Sequence, residues 1–319
     1  MERIKIIERM IFMDIKYLLF LQKLRLATNG VFDGFALQIS EFAEVVIPLF
    51  LICIIYWCLN KSKGKIILLS FIFSSLFTQF VKLQFCVYRP FIKCKLLQPL
   101  KTPSSYSMPS GHSARGTALY LAIANQFREI PTIKYVCFAL IPLIMFSRNW
   151  IGVHTPQDVL CGFLLGATAC LFAVKLSKKI ENKKNFDWLL LVISIAVAYF
   201  AISYFLNKPY PMDVDAAGKL LVKPAKAQRG LIRDFGLLAG YLMGIILEKR
   251  FVNFSVPEKL SKKLSVLFLG FLILLFVHLT LSEVLKVFVA KNIAEFIGNF
   301  IDMLYVTLLF PIIIKKRFN

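Results

Sequence analysis

The chain has 319 residues, a formal net charge of +21 and a mean hydropathy of +0.70, with 58% hydrophobic residues. That apolar share exceeds what a water-soluble domain carries and excludes a soluble globular protein. The cations fall in short clusters between apolar runs and form no single basic face, so membrane topology explains them better than nucleic-acid binding.

Residues 1–40 break their apolar positions with Glu8, Arg9, Asp14 and Lys16. This interrupts the clean core a signal peptide needs and predicts an interfacial amphipathic segment instead. At about 20 residues per crossing, the apolar runs that follow predict about nine spans, with eight or ten also open. They are Phe42 to Leu59, Lys65 to Tyr88, Gly111 to Gln126, Ile133 to Ser147, Gln157 to Lys175, Asp187 to Phe205, Gly230 to Leu247, Leu264 to Leu285 and Ile293 to Ile314. The third and fourth are short for a full crossing. The fold class is therefore all-α, a polytopic membrane helical bundle.

Two polar stretches, Arg89 to Ser110 and Asn207 to Arg229, are long enough to form ordered loops of the kind that carry function. Gly162/Gly166 and the series Gly236, Gly240, Gly244 place small residues every fourth position, which lets helices approach closely in lipid. The second series also leaves homo-oligomerisation open. Trp57, Trp150 and Trp188, near span ends, fit interfacial anchors. The seven cysteines lie mostly inside apolar runs and imply neither a disulfide nor a metal framework. Connections after odd-numbered spans carry more Lys and Arg than those after even-numbered ones, which predicts that the former are cytoplasmic.

Ionisable groups near membrane depth are costly, so their clusters are candidates for function. Lys82 and Arg89 stand seven residues apart, about two turns, and would share one helical face at the end of the second span, able to grip one anion. Two snorkelling cations are the plainer reading. In Pro109-Ser110-Gly111-His112, Ser110 fits a helix N-cap and Gly111 admits a ligand to the backbone. A cap beside a surface histidine would leave the same trace. The third cluster is Ser147-Arg148, His154 and Asp158. With Thr155 as cap and Pro156 in the first turn, Asp158 can fix the His154 tautomer that leaves the other nitrogen nucleophilic, or it can simply cap the helix. Two of the chain's three histidines fall beside these cations at the same end of the predicted spans, which favours one convergent site. His278, alone in an apolar run, fits a satisfied buried histidine, and Glu41 and Glu44 fit structural pairing with basic groups or a head-group contact.

In this order, Lys-x6-Arg-Pro, Pro-Ser-Gly-His and Ser-Arg-x5-His-x3-Asp resemble the three-part signature of the type 2 phosphatidic acid phosphatase superfamily. Lys82, Arg89, Pro90, Pro109, Ser110, Gly111, His112, Ser147, Arg148, His154 and Asp158 all match. The resemblance implies a helical catalytic core over 41–184, between the N-terminal segment and additional C-terminal helices over 185–319. It implies that His154 attacks phosphorus to form a phosphohistidine while Asp158 supports it. His112 would protonate the leaving oxygen, and Lys82, Arg89, Ser110, Gly111 and Arg148 would hold the phosphoryl oxygens. Phosphoryl transfer needs mainly positioning and charge stabilisation, and three cations can supply the charge without a metal or other cofactor.

The activity implied is hydrolysis of a lipid phosphomonoester or diphosphate, of the phosphatidic acid, phosphatidylglycerophosphate or undecaprenyl diphosphate class. A glucose-6-phosphatase-like sugar phosphatase, a lipid phosphotransferase and a non-enzymatic transporter or binding protein are the alternatives. The expected partners are the bilayer and a phosphorylated lipid, with no nucleic acid. A bacterial plasma membrane, with the site on the external side, fits the absent targeting signal and the Lys-rich loops.

Overall fold

The computed structural model describes residues 2–183 and 185–318, with the side chains of 2–12, 182 and 282 outside the described set. Among the described residues the regular elements are helices, apart from one isolated antiparallel bridge between Val214 and Leu220. In chain order they are α1 (Glu2–Ala27), α2 (Asp33–Glu41), and α3 (Val46–Cys53) running into a π-helical stretch, Ile54–Leu59. Then come α4 (Lys61–Phe85), the single turn α5 (Pro90–Lys93), α6 (Gly111–Gln126), α7 (Pro131–Trp150), α8 (Pro156–Asn182) and α9 (Phe186–Asn207). The last are α10 (Pro224–Leu247), which continues as the π-helical Glu248–Val252, then α11 (Leu260–Phe288), α12 (Lys291–Leu304), the π-helical Tyr305–Leu309 and α13 (Phe310–Arg317).

Among the described residues, seven helices are long and apolar enough to cross a membrane, or eight if α2 and α3 with its π-helical continuation count as one bent span. The sequence predicts about nine, with eight or ten also open. The uncounted helix is α6, joined by the bent first span at a count of seven: α6 forms where predicted, but its 16 residues reach only about 24 Å, short of a hydrocarbon core of about 30 Å. The amphipathic reading of the first helix rests partly on Glu8 and Arg9, whose side chains lie outside the described residues.

The contacts group the chain into two compact units, one of Met1–Ile47, Phe77–Thr168 and Pro209–Ala227, the other of Pro48–Leu76, Ala169–Lys208 and Gln228–Asn319. In the first, Tyr120 and Arg115 on α6 donate to the carbonyls of Phe42 and Ala43 at 2.9 and 3.1 Å, fixing α6 to the end of α2. Gly162 and Gly166 let α8 lie directly on α6: a methyl at Gly162 would come within 2.5 Å of the Ser110 carbonyl oxygen, and one at Gly166 would strike the Ala114 carbonyl. This close approach is the use the sequence predicts for small residues in lipid.

In the second unit, Gly236 and Gly240 on α10 face the carbonyls of Phe296 and Phe300 on α12. The glycine stripe is thus filled within the chain. Glu248 is fully buried between Lys61 and Lys65, at 2.9 and 3.0 Å. Trp57, expected at an interface, is instead wholly buried and donates to the Val306 carbonyl at 2.9 Å, because its indole N–H finds its partner inside the unit. Trp150 is also buried and donates to Asp33 at 2.9 Å, whereas Trp188 is partly exposed beneath the Arg250 guanidinium. The seven cysteines are all free thiols.

Candidate active site

Three segments of the first unit converge. The first does so differently from its prediction: α4 stops at Phe85, Cys86 takes a positive φ of 52°, and Arg89 is extended (φ −70°, ψ 153°). Lys82 and Arg89 therefore do not share a helical face. They meet through the loop that follows. The buried Lys82 ammonium donates to the carbonyls of Tyr106 and Ser107 at 2.7 and 3.2 Å. Arg89 is spread across four acceptors: Ser105 O at 2.8 Å, Ser105 Oγ at 3.0 Å, Val153 O at 3.0 Å and His154 Nε2 at 3.2 Å.

The second segment follows the sequence reading. Ser110 is the N-cap of α6, accepting from the Ser113 amide at 3.4 Å, while its own N–H donates to the Asp158 carbonyl at 2.8 Å. Gly111 is buried, and His112 Nε2 lies 3.9 Å from the Glu44 carboxylate. Glu41, by contrast, pairs with Lys101 at 3.2 Å.

The third segment is a reciprocal helix cap. Thr155 N–H donates to Asp158 Oδ2 at 2.8 Å, and Asp158 N–H donates to Thr155 Oγ1 at 3.3 Å, so α8 starts where Thr155-Pro156 predicts. Asp158 does more than cap, because the same Oδ2 lies 3.6 Å from His154 Nδ1 and accepts from Ser107 Oγ at 2.6 Å. Ser107 Oγ is itself 3.4 Å from His154 Nδ1. Asn149 holds the His154 carbonyl at 2.9 Å. Arg148 is buried, with Nη1 donating to Ser40 Oγ and Nε without a hydrogen-bond partner.

These contacts settle the imidazole's protonation. A guanidinium can only donate, so His154 Nε2 must accept from Arg89 and keeps its lone pair, which puts the proton on Nδ1, facing Asp158 and Ser107. Burial first, and then the Arg89 charge, push the His154 pKa well below its ordinary value, with Asp158 opposing. The site thus holds a neutral histidine, its unprotonated Nε2 hydrogen-bonded to Arg89, among three buried cations.

All eight predicted site residues lie in these segments. Sequence reasoning missed Ser40, Ser105, Ser107 and Asn149. The run Ser104-Ser105-Tyr106-Ser107, hydroxyl-rich and lying between two motifs, was the available signal. Ser40 and Asn149 carry none, since they act through a tertiary contact and a side-chain clasp.

The PAP2 superfamily pattern matches residues 63–182, which contain every one of these positions except Ser40. The chain belongs to the PAP2 superfamily. A second pattern, the PAP2 superfamily phosphatase transmembrane extension, matches residues 232–317, from α10 to α13. The chain is 29% identical over 164 residues to an undecaprenyl-diphosphatase of Sulfolobus acidocaldarius, covering 47% of this chain and 75% of that protein. It is 28% identical over 134 residues to undecaprenyl-diphosphatase BcrC of Bacillus subtilis, covering 41% and 68%. Phosphatidylglycerophosphatase B of the same organism is 33% identical over 92 residues, covering 26% of this chain and 45% of that one. No solved structure gives a significant match. This chain is accordingly an integral membrane protein and a phosphate ester hydrolase of the superfamily.

Proposed function

We propose that the chain removes the terminal phosphate of a membrane lipid, with polyprenyl diphosphates of the undecaprenyl class as first choice and phosphatidylglycerophosphate and phosphatidic acid next. The relatives' names support the substrate class. The observation that carries the chemistry is His154, whose Nε2 lone pair faces Arg89 while Nδ1–H faces Asp158 and Ser107.

In this reading Nε2 attacks phosphorus, the P–O bond to the lipid breaks, and His112 gives its proton to the departing oxygen. Water then loses a proton to His112 and attacks the phosphohistidine, breaking the P–N bond and releasing phosphate. Asp158 stabilises the positive imidazole that forms. Arg89, Arg148 and Lys82, with the amides of Ser110 and Gly111 at the start of α6, hold the three equatorial oxygens. The unpartnered Arg148 Nε is a donor that such an oxygen would satisfy. Read on nine crossings, the Lys and Arg bias of the loops supports an external position for this site.

Purified protein and His154→Ala are compared for phosphate release with EDTA present, on undecaprenyl diphosphate, phosphatidylglycerophosphate, phosphatidic acid and glucose 6-phosphate. The reading expects release from lipids that disappears in the variant. Release from glucose 6-phosphate alone would overturn the substrate class, and wild-type release by His154→Ala would overturn the mechanism.

A further inference from the structure

The C-terminal extension holds a second polar site. Within the second unit, α10, α11 and α12 enclose a cavity of about 210 Å³ whose lining includes Arg233, His278, Lys286, Glu295, Asn299 and Asp302. His278 sits ten residues from the end of α11, about 15 Å along the axis, in a helix otherwise apolar enough to cross a membrane. Ionisable groups at such depth cost free energy unless they are used.

The sequence predicts a buried, satisfied His278. It is satisfied, since Nδ1 lies 2.7 Å from Asp302 Oδ2, but its side chain is half exposed because it faces this cavity. Asp302 is itself almost fully buried, and its other oxygen, Oδ1, has no hydrogen-bond partner. A buried carboxylate oxygen in that position calls for a donor.

The surrounding charges define which donor. Lys286 is held by Glu283 at 2.6 Å and by Glu295 at 3.4 Å, and Arg233 is tied to the buried Asp234 at 3.1 Å. Three carboxylates, Glu283, Glu295 and Asp302, line the cavity against the two permanent cations Lys286 and Arg233, and the unpartnered Asp302 oxygen is an acceptor, so the site favours a positively charged donor. Arg233, partly exposed at the edge, stands ready for an anion attached to that donor.

We infer that this cavity binds a primary ammonium group, carried by a zwitterionic phosphoethanolamine lipid head whose ammonium donates to Asp302 and whose phosphate meets Arg233. Its lining shares no residue with the candidate active site, and the inference does not depend on the phosphatase reading.

Native mass spectrometry of the full-length protein in detergent tests it, with phosphatidylethanolamine, its N-methyl and N,N-dimethyl forms, phosphatidylcholine, and free ethanolamine as competitor. Retention should fall as N–H donors are replaced, by about tenfold from ethanolamine to choline, as for loss of a charge-assisted hydrogen bond. Asp302→Asn should bring phosphatidylethanolamine down to the choline level while the size-exclusion profile is unchanged. Displacement by equimolar free ethanolamine would make the ligand a soluble amine and overturn the lipid assignment. A flat methylation series overturns the proposal, as does an Asp302→Asn protein that keeps the preference. If that variant does not fold, the wild-type series alone decides.

Discussion

Arg89 Nη1 lies 3.2 Å from Nε2 of His154, and the direction of that hydrogen bond is fixed because a guanidinium has no lone pair to offer. This one residue therefore helps to keep the histidine neutral, and in the proposed mechanism it also holds a phosphoryl oxygen. The Arg89 charge is the second cause, after burial, of the lowered His154 pKa.

This pairing sets a pH dependence. Because the folded-state pKa is depressed, the unfolded chain binds a proton at His154 that the native chain refuses as pH falls through the ordinary histidine range. The unfolded state then holds more protons, so this residue's contribution to stability is present above about pH 6.5 and is lost as pH falls below it. His154 should stay nucleophilic in mildly acid solution, and no acid limb of kcat/KM at or above the ordinary histidine pKa should belong to it. In Arg89→Ala the His154 imidazole should titrate higher than in wild type, by histidine NMR. An unchanged titration would argue against the pairing.

Arg148→Lys should lose most activity, about a hundredfold or more in kcat/KM, because a lysine cannot satisfy Ser40 and also present the unpartnered Nε to an oxygen. Turnover near wild type would sink the assignment of Arg148 to phosphate binding.

Ser107 lies outside the three motifs, yet its 2.6 Å bond to Asp158 Oδ2 orients the carboxylate beneath His154. A hydrogen bond to a charged group contributes about 1.5–3 kcal/mol, so Ser107→Ala should lower kcat by roughly 10- to 100-fold. KM should hardly move, since Ser107 is not assigned to the phosphate. Equal losses in both constants of a properly folded protein would place Ser107 on the substrate instead.

Gly162→Ala should push α8 away from the Ser110 carbonyl, which its methyl would approach to 2.5 Å. Overpacking of this kind costs about 1–3 kcal/mol. The expected signature is a lower melting temperature together with a fall in kcat, since Ser110 caps α6 and bonds to Asp158. Gly34→Ala, which would meet nothing within 4 Å, is the control and should leave both unchanged.

Much of this was legible in the sequence because lipid and phosphate each impose strong, local constraints. Hydrocarbon forces long apolar helices, so their positions could be read from composition, and Thr155-Pro156 and Ser110 marked helix starts through capping chemistry that acts over three or four residues. The three motifs contain all eight candidate residues because each is a short stretch of chain at a helix end.

What only the tertiary structure decided are the relationships between segments. Lys82 and Arg89 are neighbours because Cys86 turns the chain and the Ser105–Ser107 loop folds back, whereas helical periodicity predicts a shared face. The burial of Trp57 follows from packing, as does the cavity around His278 and Asp302. Local chemistry fixes which residues are polar, charged or helix-starting. Which of them face one another depends on long-range contacts, and those are settled only when every buried donor and acceptor competes for partners at once.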